Sequence, residues 1–328
     1  MNIYEFSEKI GLSIGTVSRA INDRPGVSAK TRAYVLERMK TLGYRRSPAA
    51  ASLASGRTQT VALWTPGLAS SYVSAILAEL EGILEADDHD LVVVDVERRR
   101  DQPEKLLDLA RWPVDGILAL DAEGWLGPVA KASGPPLVSM GVYAYPQGVD
   151  HVLLDLGEGV VEAAEHLVGQ GCRRVAMFLP GSYNHAGCTR RESYRTTLAR
   201  HGLAVQFIET TTLMRSEAAA TFRELVSAEN PPEAVLCFND DLGIAAFRSL
   251  RDLGLRVPED MLLVGCDGVE ETRYLDPPLA TIEVPLREMC RVAWGFLRDR
   301  IESPGRPVGR RRLAARFVPR PSACRPRG

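Results

Sequence analysis

Over the first 45 positions apolar residues recur every three or four places; from position 60 onward they gather into short unbroken runs. Ile3, Phe6 and Ile10 share one helical face, and Gly11 closes that segment with a residue suited to a left-handed turn. Ser13 is placed to cap a second short helix over 14–22, with Val17, Ala20 and Ile21 as its inward stripe. Ser28 caps a third, whose predicted buried face is Val35, Met39 and Leu42 and whose stop is Gly43. Two short helices joined by a tight glycine-containing turn and braced by a third form a helix-turn-helix, whose second helix fits the major groove of DNA. Ile14, Gly15, Ser18 and Arg19 then face outward. Arg19 can pair with a guanine edge, Ile14 can touch a thymine methyl, and Ser13, Thr16 and Ser18 can donate to phosphates, whereas Gly15 has no side chain with which to read a base.

Residues 47–56 carry a capping serine, a proline at the first helical position, an alanine run and a closing glycine, a helix by propensity. Roughly eight residues do not recover the cost of helix nucleation in water, so this helix depends on a partner. Leu53 is its large apolar side chain, of a kind that wedges between minor-groove base steps.

The later runs fall into two series. Residues 61–64, 91–95, 116–120, 136–140 and 151–155 make the first, and 174–179, 204–208, 234–238 and 261–266 the second, with helical patterns between them. Continuous β-rich runs separated by helices predict two doubly wound parallel-sheet α/β subdomains. In such sheets ligands bind beyond the carboxyl ends of the strands. Those positions are polar here: Ser70 to Tyr72, Asp121, Asp155, Asn184 to Arg190, Asn239 to Asp241, and Asp267. Paired acceptors and donors beside an aromatic face suit a small polyhydroxylated ligand.

Charge sharpens this division. The net charge of −2 hides a basic head, with ten Lys/Arg against four Asp/Glu over 1–57, on an acidic body with 22 basic and 38 acidic residues over 58–305. A polyanion is drawn to the head and repelled by the body. Residues 306–328 add eight arginines and no acid, and read as a solvated surface strand or frayed end. At 328 residues the chain calls for two or three folding units. The six cysteines form no C-x-x-C pair and are expected as buried apolar groups in a reducing compartment. The opening residues lack an export signal and no run reaches 18 apolar residues, so a cytoplasmic protein off the membrane is expected. Phosphate-binding glycine loops, a G-x-S-x-G elbow and metal-ligand histidine spacing are all missing, which argues against an enzyme and predicts no cofactor or metal.

Residues 1–57 resemble the headpiece of the lactose/galactose repressor family through Leu12-Ser13, Thr16-Val17-Ser18-Arg19, Asn22, Val27-Ser28, Thr31-Arg32, Leu42-Gly43-Tyr44 and Pro48 to Leu53. The core resembles that family's sensor, itself similar to periplasmic sugar-binding proteins, through Glu165-His166-Leu167, Arg190 to Tyr194, Phe238-Asn239-Asp240 and Val264 to Asp267. The resemblance implies a homodimer on pseudo-palindromic double-stranded operator DNA, with Asn22, Tyr44 and Leu53 joining the DNA contacts. It implies effector contacts from Tyr72, Asp155, Arg190, Asn239 and Asp267, and a carbohydrate as the effector. It divides the chain into a helix-turn-helix domain at 1–46, a hinge at 47–57 and a core at 58–328. Within the core, an N-subdomain spans about 60–156 and 285–313, and a C-subdomain about 157–284 and 314–322. Two departures stand out: Gly15, where many members carry a polar base reader, and Ser193 before Tyr194, where sugar sensors often have glycine. His166 is expected on a helix surface, and no leucine heptad follows residue 318 to build a tetramer.

Overall fold

Three helices, α1 (Ile3–Ile10), α2 (Ile14–Ile21) and α3 (Ala29–Leu42), form around local capping chemistry. The computed structural model describes residues 1–44, 56–97, 102, 113–121, 134–143, 148–226 and 230–326. Asn2 and Glu5 make a reciprocal capping box at α1, and Gly11 and Gly43 close α1 and α3 at φ 69° and 62°. The Ser13 Oγ accepts the Thr16 N–H at 3.1 Å, and the Ser28 Oγ accepts that of Thr31 at 3.1 Å. These bonds satisfy N–H groups that a helix start leaves without partners.

The helices close on Phe6, Ile10, Val17, Ala20, Val35 and Tyr44, with Ile21 and Met39 partly buried at the edge. Leu42, expected inside, is 37% exposed, whereas Tyr44 is buried and stacks on Phe6 at 4.3 Å between ring centroids.

The chain from Thr60 onward, apart from Pro113–Asp115, forms a separate unit that holds two six-stranded sheets. The strands are β1 (Thr60–Thr65), β2 (Asp90–Asp95), β3 (Gly116–Leu120), β4 (Leu137–Gly141), β5 (Asp150–Asp155), β6 (Val175–Pro180), β7 (Gln206–Thr210), β8 (Ala234–Cys237), β9 (Leu262–Asp267), β10 (Ala280–Glu283), β11 (Arg310–Ala314) and β12 (Arg316–Val318). One sheet runs β11-β5-β4-β3-β1-β2 and the other β12-β10-β9-β8-β6-β7. The pairings are parallel except that β12 runs antiparallel to β10. The packed helices are α4 (Ser71–Glu85), α5 (Gly157–Gly169), α6 (Thr189–Arg200), α7 (Arg215–Val226), α8 (Asp240–Asp252) and α9 (Leu286–Glu302). The central strands are apolar on both faces because helices cover both, as parallel sheets require.

The chain passes between the sheets at three places: after β5, after β10 and between β11 and β12. The arginine-rich tail supplies β11, an edge strand of the first sheet whose Arg310, Arg311 and Arg312 are exposed. His166 departs from the expected surface position: half-buried, it donates from Nε2 to the Ala323 carbonyl at 2.8 Å and lies beside the Phe317 ring. Among the described residues no helix is long and apolar enough to cross a membrane, and no cluster of His, Cys, Asp and Glu could hold a metal ion.

Candidate functional site

Burial of Val17 and Ala20 turns the opposite face of α2 to solvent, where Ser13, Ile14, Gly15 and Arg19 are exposed and Thr16 and Ser18 half-exposed. The Arg19 guanidinium folds back over Gly15, so that a Cβ added there would meet it at 3.7 Å, an ordinary contact. Asn22 is turned toward its own helix end: Nδ2 donates to the Ser18 carbonyl at 2.7 Å and to the Ser18 Oγ at 3.2 Å. Tyr44 lies with its ring in the headpiece core, where it braces α1. Leu53 and the rest of the sequence-predicted hinge up to residue 55 lie outside the described residues.

In the larger unit the strand ends of both sheets surround one cavity of about 400 Å³. Its lining includes Tyr72 at the start of α4, Glu97 beyond β2, Asp121 beyond β3 and Tyr143 beyond β4 on one side. The other side is formed by Tyr183 and His185 beyond β6, Thr212 beyond β7, Phe238 and Asn239 beyond β8, Asp267 at the end of β9, and Arg190 from α6. Four of the five effector positions therefore come together. Asp155 does not: it sits where the chain leaves the first sheet, accepting the Gly157 N–H at 2.9 Å and pairing with Arg312.

Arg190 is buried against Phe238, with its guanidinium carbon 3.5 Å from the ring centroid and Nη1 donating to the Phe238 carbonyl at 2.8 Å. The Tyr183 ring lies 4.6 Å from Phe238 and 6.3 Å from Tyr143, so a ladder of three rings crosses from one sheet's loops to the other's. Such faces stack on the C–H face of a sugar ring or on a planar ring. Asn239 caps α8, its Oδ1 accepting the Leu242 N–H at 2.9 Å, which leaves the side-chain NH2 for a ligand.

Asp267 holds a left-handed φ of 124°, unusual for a residue with a Cβ, and is buried at the end of β9. Behind it Asp240 accepts from Thr281 Oγ1 at 2.7 Å and from the N–H groups of Gly268 and Val269 at 2.7 and 2.8 Å. Burial, and then the Asp240 carboxylate, hold the Asp267 carboxyl well above the usual carboxylate range, against the pull of Arg190. Burial likewise pushes Asp240 up to about 6, opposed by its hydrogen bonds. Asp121 reaches the Val142 N–H at 2.8 Å only because residue 141 is glycine: a Cβ there would overlap the Asp121 carboxylate.

At the cleft rim Asp241 joins the two halves. Its carboxylate accepts from the Ser71 N–H at 3.2 Å and Oγ at 3.0 Å, and from Arg215 Nε at 2.8 Å, while Arg215 also donates to the Ser71 Oγ.

Residues 2–47 match the family model for bacterial regulatory proteins of the lacI family, and residues 164–323 match that for the periplasmic binding protein-like domain. The chain belongs to the lacI family. The ribose operon repressor of Haemophilus influenzae is 26% identical to it over 298 residues, covering 89% of this chain and 90% of that protein. Among solved structures, a complex of the transcriptional regulator CelR with cellobiose shares 28% identity at a TM-score of 0.67, over 98% of this chain and 99% of that one. The lac repressor dimer bound to operator and the anti-inducer ONPF reaches a TM-score of 0.82 at 23% identity over 99% of each chain, a likeness of fold. As a lacI-family protein the chain is a transcription regulator and not an enzyme.

Sequence reasoning missed Tyr143 and Tyr183 in the lacI-family core. Tyr143 lies just past β4 and Tyr183 in a short 3-10 turn past β6, and the position beyond a strand end was the signal that could have found them.

Proposed function

We propose that this lacI-family chain is a repressor that binds pseudo-palindromic operator DNA as a homodimer and releases or tightens its hold when a small polar effector, a sugar or sugar derivative, enters the cleft. The outward face of α2 carries this reading, because Arg19, Ser18, Thr16, Ser13 and Ile14 supply base and phosphate partners while Val17 and Ala20 are held inside. Asn22, Tyr44 and, in the hinge, Leu53 as a minor-groove wedge complete the proposed DNA contacts. The functional division is 1–46 for DNA, 47–57 for the hinge and 58–328 for sensing and dimerisation. Tyr72, Arg190, Asn239 and Asp267 contact the effector, and Asp155 acts at the crossover. Closing the cleft moves the two sheets against each other and biases the hinge, for which a coupling of about 1–3 kcal/mol suffices. The protein works in the cytoplasm.

DNase footprinting of the DNA flanking the encoding gene tests this proposal. The expected result is a protected inverted repeat whose protection changes with one member of a sugar panel. No protected site under any condition sinks the repressor reading.

A further inference from the structure

Thr58 and Gln59 lie ahead of β1, outside either sheet, yet one side chain ties both down. Asp115 Oδ1 accepts the Thr58 N–H at 2.6 Å and the Thr58 Oγ1 at 2.9 Å, and Asp115 Oδ2 accepts the Gln59 N–H at 2.9 Å. Gln59 holds a φ of 53°, a left-handed conformation that a residue with a Cβ seldom adopts, and its bond to Asp115 steadies it. Asp115 is itself held from behind. The next residue, Gly116, opens β3, pairs with Val61 of β1, and lies so close under Leu297 of α9 that a Cβ would come within 2.6 Å of that side chain. Pro113–Asp115 group with residues 1–59 and not with the unit that holds the sheets.

From this geometry we infer that Asp115 is a positioning residue for operator binding: it clamps the chain just beyond the proposed hinge, so that the hinge starts from a point and direction set by β3. The inference rests on the repressor reading above and names a residue through which it works. Releasing Thr58 and Gln59 adds both residues to a loose connection in each subunit. That spreads the orientations open to each head and lowers the effective concentration of the second head at its half-site. It also loosens the path by which a shift of the first sheet reaches the hinge. Asp115 lies outside the cleft lining, so its loss leaves the effector contacts in place. Its charge acts in the opposite sense. A carboxylate repels a polyanion, so removing it would tighten DNA binding by electrostatics alone, whereas losing the clamp weakens it.

The test is equilibrium binding of the full chain to the duplex it enriches from a random-sequence pool, and to a scrambled duplex of equal length. Native protein, Asp115→Ala, Asp115→Asn and Thr58→Val are compared. Asp115→Ala should lose at least about tenfold for the enriched duplex, as expected when bonds to a charged acceptor go, and stay within about twofold for the scrambled one. Asp115→Asn keeps one acceptor oxygen and should fall between. Thr58→Val removes only the hydroxyl arm and should lose about threefold. Amide exchange at Thr58 and Gln59 should be at least about tenfold faster in Asp115→Ala, while β1 and β3 keep their native rates. An Asp115→Ala chain that binds the enriched duplex as tightly as the native chain, or that loses the scrambled duplex equally, overturns the clamp. Should β1 and β3 lose protection in Asp115→Ala, Thr58→Val decides, and unchanged affinity there overturns it. A native chain that enriches no duplex overturns the repressor reading and the clamp together, whereas enrichment by the native chain with Asp115→Ala unaffected overturns the clamp alone.

Discussion

Replacing Ser71 with alanine breaks one arm of the link between the two halves of the core. Ser71 begins α4 on the first sheet, while Asp241 and Arg215 begin or lie near the starts of helices packed on the second. The Asp241 side chain is 6% exposed and Arg215 45% exposed, so the pair is buried on one side and wet on the other. A hydrogen bond to a buried charged acceptor contributes about 1.5–3 kcal/mol. Water reaching Arg215 and the surviving Ser71 N–H reduce the expected loss to about 1 kcal/mol. That loss raises the open-to-closed ratio of the unliganded core about fivefold, and weakens effector binding by up to the same factor if only the closed form binds tightly. Single-molecule energy transfer between dyes on the two halves reads the ratio, and calorimetry reads the affinity. Ser71→Thr, which keeps the hydroxyl, should behave as the native chain. An open fraction and an affinity both unchanged within about twofold in Ser71→Ala would refute the idea that this link governs closure.

Three other changes follow from the packing. Phe6→Ala removes the ring stacked on Tyr44 and should cost about 3–5 kcal/mol, more than so small a three-helix unit can lose. Amide exchange should show residues 1–44 unprotected while the core keeps its protection. Gly15→Asn should leave the melting temperature within about 1 °C, because the new Cβ meets only the mobile end of Arg19 at 3.7 Å, yet it should shift the preferred base toward adenine in binding-site selection. The third concerns pH. Asp240 at about 6, and Asp267 also raised, hold protons in the folded chain that the unfolded chain, near about 3.9, has released. Their contribution is therefore present at low pH and is lost as pH rises through about 6. The core should be more stable to urea at about pH 5 than at about pH 7 by about 1–3 kcal/mol, and Asp267→Asn should flatten that slope.

What could be read in advance tracks how local its cause is. Caps at Ser13 and Ser28 and stops at Gly11 and Gly43 depend on a few neighbouring residues. The central strands announce themselves because both faces are buried. The tail that holds β11 and β12 carries no apolar run and reads only as a surface strand or frayed end, because the place of both strands in the sheets comes from pairing with β5 and β10 far back in the chain. The cleft shows the same limit. Arg190, Asn239 and Asp267 stand in recognisable motifs, whereas Tyr143 and Tyr183 become neighbours only once two separate strand ends meet. Asp155 obeyed the strand-end rule in sequence but lies at a crossover, which the rule does not distinguish from a cleft position. Leu42 obeyed helical periodicity yet is exposed, while Tyr44, beyond the helix end, is buried against Phe6.

In the proposed function α2 reads DNA as one half of a symmetric pair. Selection of bound duplexes from a random-sequence pool by the full-length chain tests it most directly, with Arg19→Ala in parallel. The native chain should enrich an inverted repeat, and Arg19→Ala should lose preference at one base pair in each half-site. No enriched sequence, or an enriched site that Arg19→Ala selects equally well, would contradict it.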